Sequence, residues 1–102
     1  LVPINDRETL ADLIHKSDRV ILVSQNYLGS INHSLLSIAY LNSVGIDLAG
    51  IIFNGPSNPE SERIILSKAD CACVGRIKQE ESFSKDLIKS YAEEFKTVLK
   101  KL

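Results

Sequence analysis

Residues 28–33, which read Leu-Gly-Ser-Ile-Asn-His, decide the fold that this chain adopts. They follow an unbroken apolar run at residues 20–23 and open an amphipathic segment that continues to residue 43. A second apolar run, residues 48–53, ends in the Asn-Gly-Pro turn of residues 54–56. This spacing predicts two strands of an open α/β sheet, each followed by a polar turn at its carboxyl end, which is where such sheets bind ligands.

The composition is that of one globular domain. A chain of 102 residues can form one small core, and its hydrophobic content of 44% and charged content of 25% are typical of a soluble protein. A net charge of −1 gives no sign of a nucleic-acid surface. No apolar stretch reaches the roughly 18 residues of a membrane helix, and no secretory signal is visible. Cys71 and Cys73 are too close to bridge on a strand, which favours a reducing, cytoplasmic setting.

Apolar runs alternate with helix-period segments along the chain. The predicted order is β-α-β-α-β-α-β-α, an α/β fold in three layers with a mostly parallel sheet and helices on both faces. We expect strands at residues 1–4, 19–24, 48–53 and 71–75, and helices at residues 6–16, 30–43, 60–68 and from 82 or 84 onward. The second strand is expected to be covered on both faces. The apolar stripe of residues 83–102 is expected to pack in the core.

The predicted second helix begins at Gly29, Ser30, Ile31 and Asn32. Glycine after a strand lets the backbone turn sharply and approach a ligand closely. The first N–H groups of a helix lack partners within it, and with the positive end of the helix dipole they favour a carboxylate or a phosphate. The alternative is that Gly29 makes the turn and Ser30 caps the helix, with no ligand involved.

Asn54 ends the third predicted strand. Its side-chain amide can both donate and accept hydrogen bonds, which suits the edge of a purine with its exocyclic amine and ring nitrogen. The alternative is that residues 54–56 provide turn chemistry alone.

No residue of this chain is predicted to be a metal ligand. His15 and His33 have no cysteine or carboxylate nearby at metal-ligand spacing, so both are expected to be structural. Cys71 and Cys73 lack the C-x-x-C spacing of zinc and redox motifs and are expected to be small buried residues.

The chain contains no methionine and starts at a predicted strand. We therefore expect residues 1–102 to be one partial domain, the C-terminal part of something longer. The chain also lacks a phosphate loop of the G-x-x-x-x-G-K-[ST] kind. Because an incomplete sheet exposes an unpaired edge, the chain is expected to self-associate or to hold a partner, such as a separate N-terminal half.

Three blocks in order resemble the C-terminal half of dethiobiotin synthetase, which has a P-loop NTPase-like fold. They are residues 1–7, residues 20–36 with an L-G-x-I-N-H pattern, and residues 45–54 with a strand that ends in Asn. The match is close over residues 1–55 and looser beyond them. The L-G-x-I-N-H block is quite specific for the family, whereas a strand ending in Asn is shared with related P-loop proteins, including cobyrinic acid amidotransferases.

The resemblance implies an ATP- and Mg²⁺-dependent ligase of biotin biosynthesis, usually a homodimer. Such enzymes close the ureido ring of dethiobiotin from 7,8-diaminononanoate and CO₂. The carboxylate tail of the substrate would bind at Gly29, Ser30, Ile31 and Asn32, across the dimer interface.

The resemblance also implies a nucleotide site. Asn54 with Gly55 would read the adenine edge, and Lys78, Gln79 and Glu80 would lie against the base and ribose. The chain departs from the family here, because residues 75–78 read Gly-Arg-Ile-Lys where members typically have Gly-Glu-Ile-Pro.

The catalytic parts that the resemblance implies would precede Leu1. They are the phosphate loop, its lysine and the Mg²⁺ carboxylates, on which phosphoryl transfer depends. No catalytic residue is therefore expected in this chain, and the isolated chain is expected to be inactive. Two alternatives stay open, a glutamine-dependent amidotransferase of the cobyrinate type and a non-catalytic interaction or regulatory domain.

Overall fold

The computed structural model describes residues 1–27 and 29–102. The described part contains a parallel sheet of three strands, Val20–Gln25 (β1), Leu48–Asn54 (β2) and Ala72–Ile77 (β3), in the order β1-β2-β3. Its three α-helices are Ser30–Ser43 (α1), Pro59–Ala69 (α2) and Lys85–Leu99 (α3). The predicted α/β class is confirmed, while Leu28, part of the predicted helix start, lies outside the described residues.

Helices cover both faces of the sheet. Ile51 and Phe53 are two residues apart on β2, so they share a face, and both are almost fully buried against Ile38 of α1 and Ile65 of α2. The opposite face of β2 carries Gly50 and meets the end of the chain beyond α3. Successive side chains of β2 therefore point to opposite faces of the sheet, and each face is covered by helical segments, as the predicted three layers require.

Local sequence sets the helix ends. The side chain of Asn58 accepts a hydrogen bond from the Ser61 N–H at 3.3 Å and caps α2, which has Pro59 in its first position. Ser84 caps α3 in the same way, accepting from the Leu87 N–H at 3.1 Å. Ser84 is one of the two helix starts that the sequence predicts.

The predicted first strand and first helix are wrong. Residues 1–4 make one antiparallel bridge, Pro3 to Thr9, and the predicted helix is reduced to a 3-10 turn at Leu10–Leu13. A short helix depends on burying an apolar face. Here Leu10 and Leu13 are 50% and 57% exposed, so that stabilisation is missing.

Three burial predictions also need correction. Val23 on β1 is 59% exposed, because α3 packs on β3 and leaves that face of β1 uncovered within the described residues. In the apolar stripe of residues 83–102, Phe95 is buried, whereas Phe83 and Ile88 are more than half exposed. Cys71 packs against the core, but Cys73 is exposed. In the described part of the chain, no helix is both long and apolar enough to cross a membrane.

Candidate functional site

The carboxyl ends of the three strands form one edge of the sheet. Gln25, Asn54 and Ile77 lie side by side in register there. Two clefts open along this edge, and the segment of residues 54–58, here called the 54–58 loop, runs between them. Parallel sheets bind ligands at this edge, so the fold places both clefts where a functional site is expected.

The first cleft, here called the Asn54 cleft, has a volume of about 340 Å³. It brings together all five residues that the sequence predicts for nucleotide binding, although they come from two separate loops. The residues are Asn54, Gly55, Lys78, Gln79 and Glu80, and exposed Phe83 adds an aromatic ring.

Gly55 fixes the inner wall of the Asn54 cleft. Its φ of +98° is in the left-handed region that favours glycine. The Gly55 N–H donates to the Ile77 carbonyl at 2.9 Å, and its carbonyl accepts from the Arg76 guanidinium at 3.4 Å. Within residues 1–27 and 29–102, no hydrogen bond engages the side chain of Asn54, so its amide is available to a ligand.

Tyr91 of α3 anchors the outer wall of the same cleft. The Lys78 backbone N–H donates to the Tyr91 hydroxyl at 3.0 Å, and that hydroxyl donates to the Glu80 carboxylate at 2.8 Å. Desolvation and the bond to the Glu80 carboxylate together raise the pKa of Tyr91. Tyr91 therefore stays protonated at neutral pH and holds the loop of residues 78–80 in place.

The second cleft, here called the α1 cleft, has a volume of about 720 Å³. All four residues predicted for substrate binding line it, namely Gly29, Ser30, Ile31 and Asn32. The start of α2 lines it as well, through Asn58 and Ser61. The amino termini of two helices therefore border one cleft, and none of its lining side chains carries a charge that would oppose an anion.

The start of α1 differs in two respects from what the sequence predicts. Gly29 has a φ of +86° and makes the turn, and no side chain caps the helix, so Ser30 is not a cap. The N–H of Ser30 is not free, because it donates to the Tyr27 carbonyl at 3.0 Å. An anion in the α1 cleft would therefore meet the helix dipole without the Ser30 amide.

A partly buried hydrogen-bond network that sequence reasoning missed joins the two clefts. One carboxylate oxygen of Glu62 on α2 accepts from the Asn26 side chain at 2.9 Å, from the Asn58 N–H at 3.0 Å, and from Arg76. Burial alone would raise the pKa of Glu62, but the bonds from Arg76, Asn58 and Asn26 outweigh it and hold the pKa below its ordinary value of 4.5. Glu62 is therefore ionised at neutral pH. Arg76, a charged residue directly after the predicted fourth strand, was the sole signal of this network in the sequence.

His33 and the two cysteines, the other candidate side chains, show no sign of a catalytic or ligand-binding role in the part of the chain that the structure describes. The Tyr27 hydroxyl contacts the ring of His33, and Cys71 packs against the core. Burial raises the pKa of both cysteine thiols, so neither is a thiolate at neutral pH. Among the described residues, no group of three or more His, Cys, Asp or Glu side chains could hold a metal ion.

A parallel sheet with helices on both faces and two clefts at its carboxyl edge defines an open α/β domain. Residues 1–86 match the family model described as an AAA domain, which is P-loop NTPase-like, and the chain belongs to that family.

The resemblance to dethiobiotin synthetases is confirmed by comparison with known proteins. The chain is 52% identical over 96 residues to the ATP-dependent dethiobiotin synthetase BioD of Christiangramia forsetii. This alignment covers 94% of the chain and 46% of that protein. It is 48% identical over 93 residues to the synthetase of the same name from Cytophaga hutchinsonii, covering 90% of the chain and 45% of that protein. The synthetase of Nitrobacter hamburgensis is 37% identical over 90 residues, covering 87% of the chain and 42% of that protein.

The chain spans about half the length of the curated relatives it matches. The similarity runs well past residue 55, over more of the chain than the sequence motifs predicted. Nothing in these comparisons favours a cobyrinate-type amidotransferase or a non-catalytic domain. No solved structure matches the chain significantly.

Proposed function

We propose that the protein carrying this chain is an ATP-dependent dethiobiotin synthetase of the cytoplasm. It would close the ureido ring of dethiobiotin from 7,8-diaminononanoate and CO₂. This chain would supply the binding sites for the adenine base and for the carboxylate tail of the substrate. One observation carries the proposal. The predicted nucleotide residues line one cleft and the predicted substrate residues line its neighbour, at the ligand-binding edge of the sheet.

The Asn54 cleft is the proposed adenine seat. The unengaged amide of Asn54 would donate to a ring nitrogen of the base and accept from its exocyclic amine. Gly55 brings the backbone close to the base, and Lys78, Gln79 and Glu80 form the opposite wall. Because Tyr91 holds that wall through two hydrogen bonds, the cleft is formed before the nucleotide arrives.

The α1 cleft is the proposed seat of the substrate carboxylate. The positive ends of the α1 and α2 dipoles favour an anion there, and the lining side chains are all uncharged. We propose a homodimer in which a substrate molecule reacts at the active site of one subunit while its carboxylate binds in the α1 cleft of the other.

The proposed reaction runs in three steps. One substrate amine adds to CO₂ and loses a proton to form a carbamate, and a carbamate oxygen then takes the γ-phosphoryl group of ATP with release of ADP. The second amine attacks the carbamoyl carbon and loses a proton to solvent, and phosphate leaves as the ring closes. Mg²⁺ would neutralise phosphate charge, but the described residues offer no group that fits it, so we assign it no ligand here.

Two measurements test this proposal, an assay for dethiobiotin formation and a comparison of the substrate with an analogue that lacks the carboxylate charge. The full-length protein is expected to form dethiobiotin from 7,8-diaminononanoate, CO₂ and ATP, as detected by mass spectrometry. The analogue whose tail is a neutral carboxamide is expected to show a KM about tenfold higher, since a charge-assisted contact is lost. Absence of dethiobiotin would refute the activity, and equal KM values for acid and carboxamide would refute the carboxylate seat.

A further inference from the structure

We propose that Glu62 is a positioning residue that sets the shape of both clefts by fixing the 54–58 loop between them. This inference rests on the proposed function, because it concerns the binding of ATP and the diamine at those clefts. Glu62 itself lines neither cleft. It acts through Asn26, Asn58 and Arg76, which contact the loop or belong to it.

The 54–58 loop is the shared wall of the two clefts. Asn54, Gly55 and Pro56 line the Asn54 cleft, while Pro56, Ser57 and Asn58 line the α1 cleft. A displacement of this loop would therefore change both binding sites at once.

Neighbouring elements hold the loop at each end and in the middle. Directly after β1, the Asn26 N–H donates to the Asn54 carbonyl at 3.0 Å, and the Asn26 side chain donates to the Pro56 carbonyl at 2.8 Å. From β3, Arg76 donates to the Gly55 carbonyl at 3.4 Å. From α2, Glu62 accepts from the Asn58 N–H at 3.0 Å.

Glu62 is the group on which these contacts converge. A single oxygen of its carboxylate accepts from Asn26, Asn58 and Arg76, so Glu62 connects α2 with the residue after β1, the loop and β3. The side chains of Glu62 and Arg76 are 15% and 29% exposed. Solvent screens such a partly buried pair less than a surface pair, so the charge of Glu62 acts more strongly on the donors around it.

The amide of Asn26 shows that the network dictates side-chain orientation. Its NH₂ group faces two acceptors, the Pro56 carbonyl and the Glu62 carboxylate, so a flipped amide would place oxygen against oxygen. In this orientation the Asn26 oxygen is buried without a hydrogen-bond partner in the described part of the chain. An unpaired buried oxygen is unfavourable, so the bonds to the loop and to Glu62 must outweigh that cost.

The variant Glu62→Gln in the full-length protein tests the proposal. Glutamine keeps the shape of the side chain and removes the charge that holds Arg76 and Asn26. We expect the KM values for ATP and for 7,8-diaminononanoate both to rise about five- to tenfold, the effect of losing a hydrogen bond to a charged group. The kcat is expected to stay within about twofold, since Glu62 touches no reacting group.

Glu60→Gln is the matched control. Glu60 lies on the same helix and pairs with Arg63, but both side chains are well exposed, at 79% and 69%. An exposed pair of this kind contributes little, so both KM values should match the wild type. A rise as large as that of Glu62→Gln would overturn the proposal, because it would show a general effect of charge.

The KM and kcat values separate positioning from folding. If Glu62 only stabilised the fold, the variant would lose active molecules, and kcat would fall while both KM values stayed constant. That result, or unchanged KM and kcat, would overturn the proposal. If Glu62→Gln does not fold, Arg76→Gln removes a donor from the same carboxylate at a residue that lines neither cleft, and it is assessed by the same criteria.

Failure of the proposed function can be recognised separately. A wild-type protein that forms no dethiobiotin refutes the proposed function, and the positioning role falls with it. An active wild-type protein whose Glu62→Gln variant keeps both KM values refutes the positioning role alone.

Discussion

At the residue scale, the candidate site divides into residues that the sequence reveals and residues that the fold alone reveals. Gly29 and Asn54 could be found because each follows an apolar run that predicts a strand, and the carboxyl ends of such strands are where open α/β sheets bind ligands. Asn26 and Glu62 are 36 residues apart, and their hydrogen bond forms because the fold brings the residue after β1 beside α2. No local pattern predicts such a pair, so the network could not be derived from the sequence.

Asn32 gives the first prediction at this scale. Asn32→Ala in the full-length protein is expected to raise the KM for 7,8-diaminononanoate about fivefold, because an amide is removed from the lining of the α1 cleft. Asn42→Ala, an exposed position on the same helix, is the control and should leave the KM unchanged. Steady-state kinetics would contradict the assignment if the two variants behaved alike.

The buried hydroxyl pair of Ser24 and Ser34 gives a second prediction. Their oxygens are 2.7 Å apart between β1 and α1, and the residues are 2% and 7% exposed. Ser34→Ala should lower the free energy of unfolding by about 1–3 kcal/mol, because it leaves the Ser24 hydroxyl buried and unpaired. Replacing both serines by alanine should cost less than the sum of the single changes.

Urea denaturation of the four forms measures this coupling. Ser43→Ala is the control, since Ser43 is exposed and bonds the Tyr40 carbonyl of its own helix. Strict additivity of the Ser24 and Ser34 changes would show that the two hydroxyls do not depend on each other.

At the element scale, the sequence predicts α1, β2, α2 and α3 well, because each has both a strong apolar pattern and a tertiary surface to bury it. The failures occur where the pattern has no such surface. Leu10 and Leu13 have helical spacing but stay exposed, so the local preference for a helix is not reinforced. The apolar run of β1 predicts cover on two faces, but α3 packs on β3, and Val23 remains exposed.

The contact between β3 and α3 gives a prediction at this scale. A Cβ atom at Gly75 would approach Cδ1 of Phe95 to 2.6 Å, so the absence of a side chain lets α3 pack directly on β3. Gly75→Ala should destabilise the protein by about 1–3 kcal/mol through overpacking. Thermal and urea unfolding should show a smaller penalty for the same change in a Phe95→Ala background, and an equal penalty would contradict this account of the packing.

At the scale of the whole molecule, the Glu62 network predicts how stability depends on pH. The pKa of Glu62 is lowered in the folded protein from an ordinary 4.5. A lowered carboxyl pKa stabilises the folded state fully above the unfolded value, and this contribution is lost as pH falls through the folded pKa. The free energy of unfolding of wild type should therefore exceed that of Glu62→Gln above about pH 5, and the difference should shrink below pH 4.5.

Urea denaturation at a series of pH values from about 7 to 3 checks this prediction. Glu60→Gln, which removes an exposed carboxylate from the same helix, should show no comparable pH-dependent difference. A difference between wild type and Glu62→Gln that stays constant over the whole range would contradict the ionised network.

The whole molecule also defines what this chain contributes. It spans about half the length of its dethiobiotin synthetase relatives, and its described residues line two clefts at the carboxyl edge of the sheet. The function that we propose for these residues is binding of the adenine and of the substrate tail.

A crystal structure of the full-length protein with a non-hydrolysable ATP analogue and 7,8-diaminononanoate tests the central claim most directly. We predict that the adenine edge lies within hydrogen-bond distance of the Asn54 amide and that the substrate carboxylate lies at the start of α1. Adenine bound elsewhere, with the Asn54 cleft filled by solvent, would contradict the account.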